Sequence, residues 1–397
     1  MSTGQGSPLE QARRALAQGA LKRAEDLLKQ VGSLSDEALD STLDDLMRLA
    51  EAWADSGKTL RAARLYEEIV HSIERLRGQD VADLVEPLRH HANVLLETDL
   101  PHEQSCVPAE EALRRALSLQ ERHFGHDTAS AGWMLLDLGD LVHDHERCED
   151  AEELGRRAWD IGREVGRDDP ALFLEATNWL AGWYEGHQEW RSGRRMLESS
   201  LELASQLIGA GQPRLAGMMD GLATMILEDT GDAAAADALC ARAIEILTVA
   251  YGELPMPNTI LPRPLDDLAT VRMMFAALYS TRAHAAFIDG NLAGCSYLLN
   301  RALLMLDLPD GEVSADVASA HAASLAEALE AHARLASERG DEVGAERFFK
   351  QALTQSEAAE PDHAANIFED YAAWLEERGR GPEAEQARRQ AENLRNS

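Results

Sequence analysis

A cluster of small and large apolar residues recurs along the chain at constant intervals, and this repetition constrains the fold more than any other feature. One copy comprises Leu46, Leu49, Ala50, Trp53, Gly57, Ala62, Tyr66, Ile69 and Val70; another comprises Leu329, Ala333, Ala336, Gly340, Ala345, Phe349, Ala352 and Leu353. Because the intervals match, the chain is predicted to be an array of similar units. Such an array favours an extended binding surface over a site of chemistry.

The spacing within each copy predicts a hairpin of two helices. Large residues three and four positions apart lie on one face of a helix. Small residues are expected where the two helices cross, at Ala50, Gly139, Ala181, Ala223, Ala333 and Ala372. Glycines that can adopt the left-handed conformation are expected in the turn between the helices, at Gly57, Gly231, Gly290, Gly340 and Gly379.

A small residue also marks the second helix of each unit, and its recurrence predicts nine hairpins. These positions are Ala24, Ala62, Ala109, Ala151, Gly193, Ala236, Cys295, Ala345 and Ala384. The pattern resembles the tetratricopeptide repeat (TPR), whose basic unit has about 34 residues. The most frequent step here is 42 residues, which resembles the long-repeat, kinesin-light-chain-like subclass. The resemblance implies an all-α fold, a right-handed TPR-like superhelical solenoid of about nine helical hairpins.

The hairpins are predicted to form a single solenoid over residues 8–395, preceded by a disordered segment, 1–7. Their predicted ranges are 8–32, 43–76, 81–123, 128–166, 170–209, 213–251, 265–306, 314–357 and 361–395. The proline-rich segment 252–264 interrupts the array, because its four prolines oppose helix formation. It is either a simple insertion at the edge of the solenoid or a loop that gates the groove. At Gly155 an aromatic residue is usual, and the glycine predicts either locally loose packing or a bulky neighbour, such as Trp159, that fills the space.

The composition restricts the class of partner and the compartment. The chain has 38 basic and 70 acidic residues, a formal net charge of −32. A surface this negative repels nucleic acid and anionic membranes and attracts basic partners, although charge also serves solubility. Four separated cysteines and the lack of a signal peptide or a long apolar run indicate a cytoplasmic protein with free thiols.

No catalytic motif is found in the sequence. The chain has no glycine-rich phosphate loop, nucleophile elbow or His-Glu-x-x-His pair. Residues 143–148, His-Asp-His-Glu-Arg-Cys, contain metal-ligating residue types, but no second cluster completes a site. We therefore predict a protein that is not an enzyme and has no metal or cofactor.

The resemblance implies a concave groove lined by the first helix of each hairpin, and this predicts the partner-binding residues. In this family an Arg–Asn pair can clamp a peptide, and Arg89 and Asn93 match those residue types; the alternative is an ordinary exposed face. Trp133 is predicted to point into the groove and Trp179 to lie beside it, whereas Trp183 and Trp190 are predicted to be core. The full predicted set is Arg89, Asn93, Trp133, Asp137, Asp140, His143, Asn178, Trp179, Asp220 and His284.

The predicted function is a non-enzymatic scaffold or adaptor that binds a protein or peptide in an acidic concave groove. Its partner is expected to carry basic residues, because the groove candidates include several carboxylates. The alternative is a regulatory TPR protein that responds to a ligand or peptide and is gated by the loop 252–264.

Overall fold

The chain is entirely helical in the part that the structure describes. A computed structural model describes residues 7–31, 39–98, 100–143, 148–252, 265–308, 313–356, 358–359 and 361–395. Within these ranges there are eighteen α-helices, a 3-10 helix at Ala82–Leu84, and no strand. The predicted all-α fold is therefore confirmed.

The helices occur as consecutive pairs. They are α1 (Pro8–Ala17), α2 (Leu21–Val31), α3 (Leu39–Asp55), α4 (Thr59–Arg77), α5 (Val85–Leu96), α6 (His102–Phe124), α7 (Ala129–His143), α8 (Cys148–Val165), α9 (Pro170–Gly186), α10 (Trp190–Ile208), α11 (Leu215–Thr230), α12 (Ala233–Tyr251), α13 (Leu265–Ile288), α14 (Leu292–Leu306), α15 (Ala315–Glu338), α16 (Glu342–Ser356), α17 (Pro361–Glu377) and α18 (Gly381–Arg395).

The turns between paired helices depend on glycine where they were predicted to. Gly57, Gly231, Gly290, Gly340 and Gly379 all have φ between 68° and 75°. This left-handed conformation ends one helix and lets the chain reverse at little steric cost. Three of the following helices then begin with a side-chain cap: Asp232, Asn291 and Asp341 accept hydrogen bonds from the amides of Ala235, Gly294 and Gly344, respectively.

The small residues predicted for the second helices lie in the core. Ala24, Ala62, Ala109, Ala151, Ala236, Ala345 and Ala384 are completely buried, and Gly193 and Cys295 are also buried. Phe349, for example, packs in one core cluster with Ala345 and Ala384. A larger residue at one of them would overpack the hairpin, at a cost of about 1–3 kcal/mol.

The chain divides into two compact units, residues 1–183 and 184–397. The boundary falls inside α9, after Trp183, which is buried. The prediction of a single solenoid over 8–395 stays a prediction. The segment predicted to be disordered, the proline-rich loop and the turn of the histidine-rich stretch lie outside the described residues, apart from Ser7, Gly252, His143 and Cys148.

Gly155 corrects one detail of the sequence analysis. The ring of Trp179, from the next hairpin, occupies the space above this glycine, and a Cβ added there would clash with it. Trp159, the expected filler, instead lies under the guanidinium of Arg163, 4.6 Å from its ring centre. Gly155 is therefore required because the Trp179 ring of the next hairpin occupies the space that a side chain at position 155 would need.

None of the described helices is both long enough and apolar enough to span a bilayer. The described cysteine side chains are free thiols: Cys240 and Cys295 are buried, and Cys106 is partly buried.

Candidate functional site

In the first unit, the predicted peptide clamp is bonded to a carboxylate of the next hairpin. Arg89 on α5 donates from Nε to Oδ2 of Asp137 on α7 at 3.3 Å, and Asn93 also hydrogen-bonds to Asp137. All three side chains are partly buried. Burial raises the pKa of Asp137, whereas Arg89 and Asn93 oppose that rise. The structure thus brings these predicted residues together, and in it they join two hairpins.

The two tryptophans predicted at the groove also make contacts between hairpins. Trp133 is half-buried and donates from Nε1 to Oδ2 of Asp169, 3.0 Å away, beside the start of α9. Trp179 donates from Nε1 to Oδ1 of Asp140, and its ring packs against Gly139 and Gly155. Trp179 is therefore a packing residue between the fourth and fifth hairpins, and its predicted place beside a groove stays a prediction.

The remaining predicted residues of the first unit are exposed. Asn178 lies on α9, and His143 is the last residue of α7. The bonds between hairpins described in this unit are therefore those of Arg89 and Asn93 with Asp137, of Trp133 with Asp169, and of Trp179 with Asp140.

In the second unit, four carboxylates form a group of like charge, and we call them the acidic hollow: Glu185, Asp220, Glu228 and Glu327. Burial raises the pKa of Asp220 to about 6; the hydrogen bond from Thr281 opposes this rise, and the charges of Glu185 and Glu327 reinforce it. Cys240 lies 3.9 Å away and donates a weak bond to Oδ1 of Asp220. Asp220 is thus a poorly hydrated carboxylate close to others of the same charge.

The side chains of Glu185 and Glu327 are exposed. Loss of hydration is nevertheless the main effect that raises the pKa of each. Glu327 and Glu228 raise the pKa of Glu185 further. A group of like charges attracts a ligand of opposite charge more strongly than a single carboxylate does.

Only histidines form ion-pair contacts with the acidic hollow among the residues described. His284 Nδ1 lies 3.9 Å from Glu228 Oε1, and His363 Nδ1 lies 3.7 Å from Glu327 Oε1. No described lysine or arginine lies within 4 Å of any of the four carboxylates. The hollow therefore has an excess of negative charge, unlike the Arg89–Asp137 contact of the first unit.

A cavity of about 500 Å³ lies between α13, α15 and α17, and we call it the apolar cavity. Its floor is made of buried side chains, among them Leu299, Leu335, Phe349 and Trp374. Trp374 is held in place because its Nε1 donates to Ser337 Oγ at 3.3 Å and Arg378 covers its ring. The volume lies within the range of ligand pockets, about 300–1,000 Å³.

Arg334, on the wall of the apolar cavity, is neutralised by two carboxylates. Its Nη2 lies 2.5 Å from Glu330 Oε1 and 3.0 Å from Asp370 Oδ2. Glu330 is buried, and burial raises its pKa; Asp370 and Glu327 act in the same direction, whereas Arg334 opposes them. Glu330 and Arg334 thus connect the apolar cavity electrostatically to Glu327 of the acidic hollow.

Two residues of the predicted partner-binding set lie in this region. Asp220 belongs to the acidic hollow, and His284 contacts that hollow and lines the cavity. The repeat register also places Glu185, Glu327, Glu330 and Arg334 on the predicted groove face of the first helices. The residues that sequence reasoning did not select are Glu228, Asp370 and Trp374. The repeat contained a usable signal for one of them, because Asp370 stands 36 residues after Arg334, its partner in the adjacent hairpin.

Among the described residues, no group of three or more His, Cys, Asp or Glu has the arrangement needed for a metal ion. Residues 144–147 of the histidine-rich stretch lie outside the described part of the chain.

Comparison with solved structures identifies the fold. The apo form of RapI superposes with a TM-score of 0.64 at 13% identity, covering 98% of this chain and 96% of that one. The apo form of the quorum sensor NprR from B. thuringiensis gives a TM-score of 0.51 at 11% identity, over 98% of this chain and 97% of that one. The predicted TPR-like fold is confirmed by these similarities.

A Podosopora anserina protein described as a kinesin light chain, with nearly identical TPR-like repeats, is similar over 54% of this chain and 98% of its own. The identity is 15% and the TM-score is 0.46. No family model and no curated protein matches the sequence.

Proposed function

We propose that the protein is a non-enzymatic, cytoplasmic binding protein whose second unit holds a protein or peptide segment with basic residues. The observation that supports this most directly is the acidic hollow, where the charge of Glu327 raises the pKa of Glu185 and Asp220, and the charge of Glu185 raises that of Asp220. A cationic side chain placed among them would relieve this repulsion. Binding of such a side chain would therefore gain free energy from the loss of the repulsion between carboxylates that exists in the free protein.

The proposed binding site lies in the second unit, whereas most of the residues predicted from sequence lie in the first unit. Arg89, Asn93, Trp133, Asp137, Asp140 and Trp179 make bonds between hairpins, and a ligand would have to break those bonds to use the same atoms. The carboxylates of the acidic hollow meet only histidines at ion-pair distance among the described residues. We therefore assign ligand binding to the second unit and a structural role to the predicted set of the first unit.

The test is a binding assay with short synthetic peptides that differ only in charge. Peptides with arginine or lysine should bind, and their affinity should fall as salt rises, because exposed charge pairs are screened over about 8–10 Å. Glu327→Gln should weaken binding. Glu245→Gln, which removes a charge from an exposed site on α12, is the matched control and should not. Equal binding of acidic and basic peptides would contradict the proposal.

A regulatory function is the second candidate. NprR, which matches nearly the whole length of this chain, is described as a quorum sensor, so a sensor can have this arrangement of helices. In a sensor, the dimensions of the protein should change when the basic peptide binds. X-ray scattering in solution with and without that peptide separates the two functions: unchanged dimensions favour a scaffold, and measurable compaction favours a regulator.

A further inference from the structure

The apolar cavity and the acidic hollow share residues, so they are not independent features. His284 lines the cavity and lies 3.9 Å from Glu228 of the hollow. On the other side, Arg334 lines the cavity and pairs with Glu330, which interacts electrostatically with Glu327. His284 therefore connects the two regions directly, and Arg334 connects them through Glu330, which follows Glu327 by three residues on α15.

The chemistry of the cavity favours an uncharged, apolar group. Its floor consists of aromatic and aliphatic side chains, and its one arginine, Arg334, is matched by Glu330 and Asp370. The other acidic residues on the wall are Glu338 and Glu377. An anionic ligand group would meet these carboxylates and would have to displace Asp370 from Arg334. An apolar group avoids both costs and gains free energy by leaving water.

From this continuity we infer that the second unit has one two-part ligand site, which takes a peptide segment with a basic side chain next to an apolar one. The basic side chain lies among Asp220, Glu185 and Glu327, and the apolar side chain lies in the cavity against Leu335 and Trp374. The inference rests on the proposed function and specifies its ligand. The two contacts fix the position of the segment, which charge attraction alone does not.

The probes are capped hexapeptides with an Arg-Phe pair in a glycine–serine background, together with Arg-Ser, Glu-Phe and Phe-Arg versions. Calorimetric titration of the full chain should show the Arg-Phe peptide, or its reversed form, binding about tenfold more tightly than Arg-Ser, because burial of a large apolar side chain has at least that effect. The Glu-Phe peptide should bind more weakly than either.

Two variants separate the parts of the site. Ala373→Phe introduces a large side chain at an exposed position on the cavity wall, where it leaves the core intact. It should abolish the advantage of Arg-Phe over Arg-Ser without changing the affinity for Arg-Ser. Glu327→Gln should weaken both arginine peptides by a similar factor, and Glu245→Gln should affect neither.

Each result supports or contradicts either the two-part site or the proposed function. If Arg-Ser and Arg-Phe bind equally and both depend on Glu327, the two-part site is wrong and the proposed function stands. If arginine gives no advantage over glutamate, the proposed function fails as well. Absence of binding by every probe at about 1 mM, a free energy weaker than about −4 kcal/mol, also overturns the two-part site, whose combined contacts should exceed that value.

Discussion

Replacing Asp220 by asparagine should stabilise the protein at neutral and alkaline pH. The folded protein raises the pKa of this carboxyl from 3.8 to about 6, so ionised Asp220 is less favourable in the folded state than in the unfolded chain. Each pKa unit corresponds to about 1.36 kcal/mol, and the difference of about two units therefore amounts to roughly 3 kcal/mol well above pH 6. The amide side chain of the variant would carry no charge and could still accept the hydrogen bond from Thr281.

The sign and the pH window follow from proton binding. Between about pH 4 and pH 6 the folded state holds the Asp220 proton more tightly than the unfolded state does, so stability falls as pH rises through this window. The gain from Asp220→Asn should be largest at pH 8, about 1–3 kcal/mol once imperfect hydrogen bonding of the amide is allowed for, and about half that at pH 5.

The assay is urea denaturation at both pH values, followed by far-UV circular dichroism, with amide hydrogen exchange of α11 as a local measure. Local exchange is informative because each repeat of an array contributes its own stability. Glu245→Gln makes the same change of charge at an exposed position and should shift stability by no more than about 0.5 kcal/mol. A loss of stability in the Asp220 variant, or a gain independent of pH, would show that this carboxylate is not held in the environment described.

Three further substitutions test the packing. Gly155→Ala should destabilise the fourth hairpin by about 1–3 kcal/mol, because the new methyl group clashes with the ring of Trp179. Calorimetric melting measures this loss, and unchanged stability would contradict the contact between Gly155 and Trp179. Trp133→Ala should lower the unfolding free energy by at most about 3–5 kcal/mol, since the indole is half-buried and bonded to Asp169; an unchanged urea midpoint would indicate a free surface residue. Ala345→Leu should cost about 1–3 kcal/mol by overpacking a fully buried site, and wild-type stability in thermal unfolding would refute the assignment of that helix crossing.

The sequence predicted the fold well because the residues that determine a hairpin are close together in the chain. A small residue such as Ala62 or Ala345, a glycine five residues before it and a large residue four after it all act within one or two turns of helix. The structure buries these alanines and gives Gly57 and Gly340 their left-handed conformation. Local geometry of this kind needs no knowledge of the neighbouring hairpins.

The candidate site was harder to predict because its residues come from hairpins far apart in sequence. Glu185 and Glu327 are 142 positions apart, and their interaction depends on how several intervening helices stack. Trp179 shows the converse: its place on the first helix suggested a surface role, but two glycines in the preceding hairpin create the space that its ring fills. Such complementarity between hairpins cannot be derived from the pattern of one hairpin.

The raised pKa of Asp220 means that binding of a cation in the proposed site should be coupled to the release of protons. A cation that enters the acidic hollow lowers the pKa of the surrounding carboxyls, so near pH 6 its arrival must expel hydrogen ions into the medium. The measured heat of association would then vary with the ionisation enthalpy of the buffer. By the same linkage, acidification would compete with the ligand and promote its release.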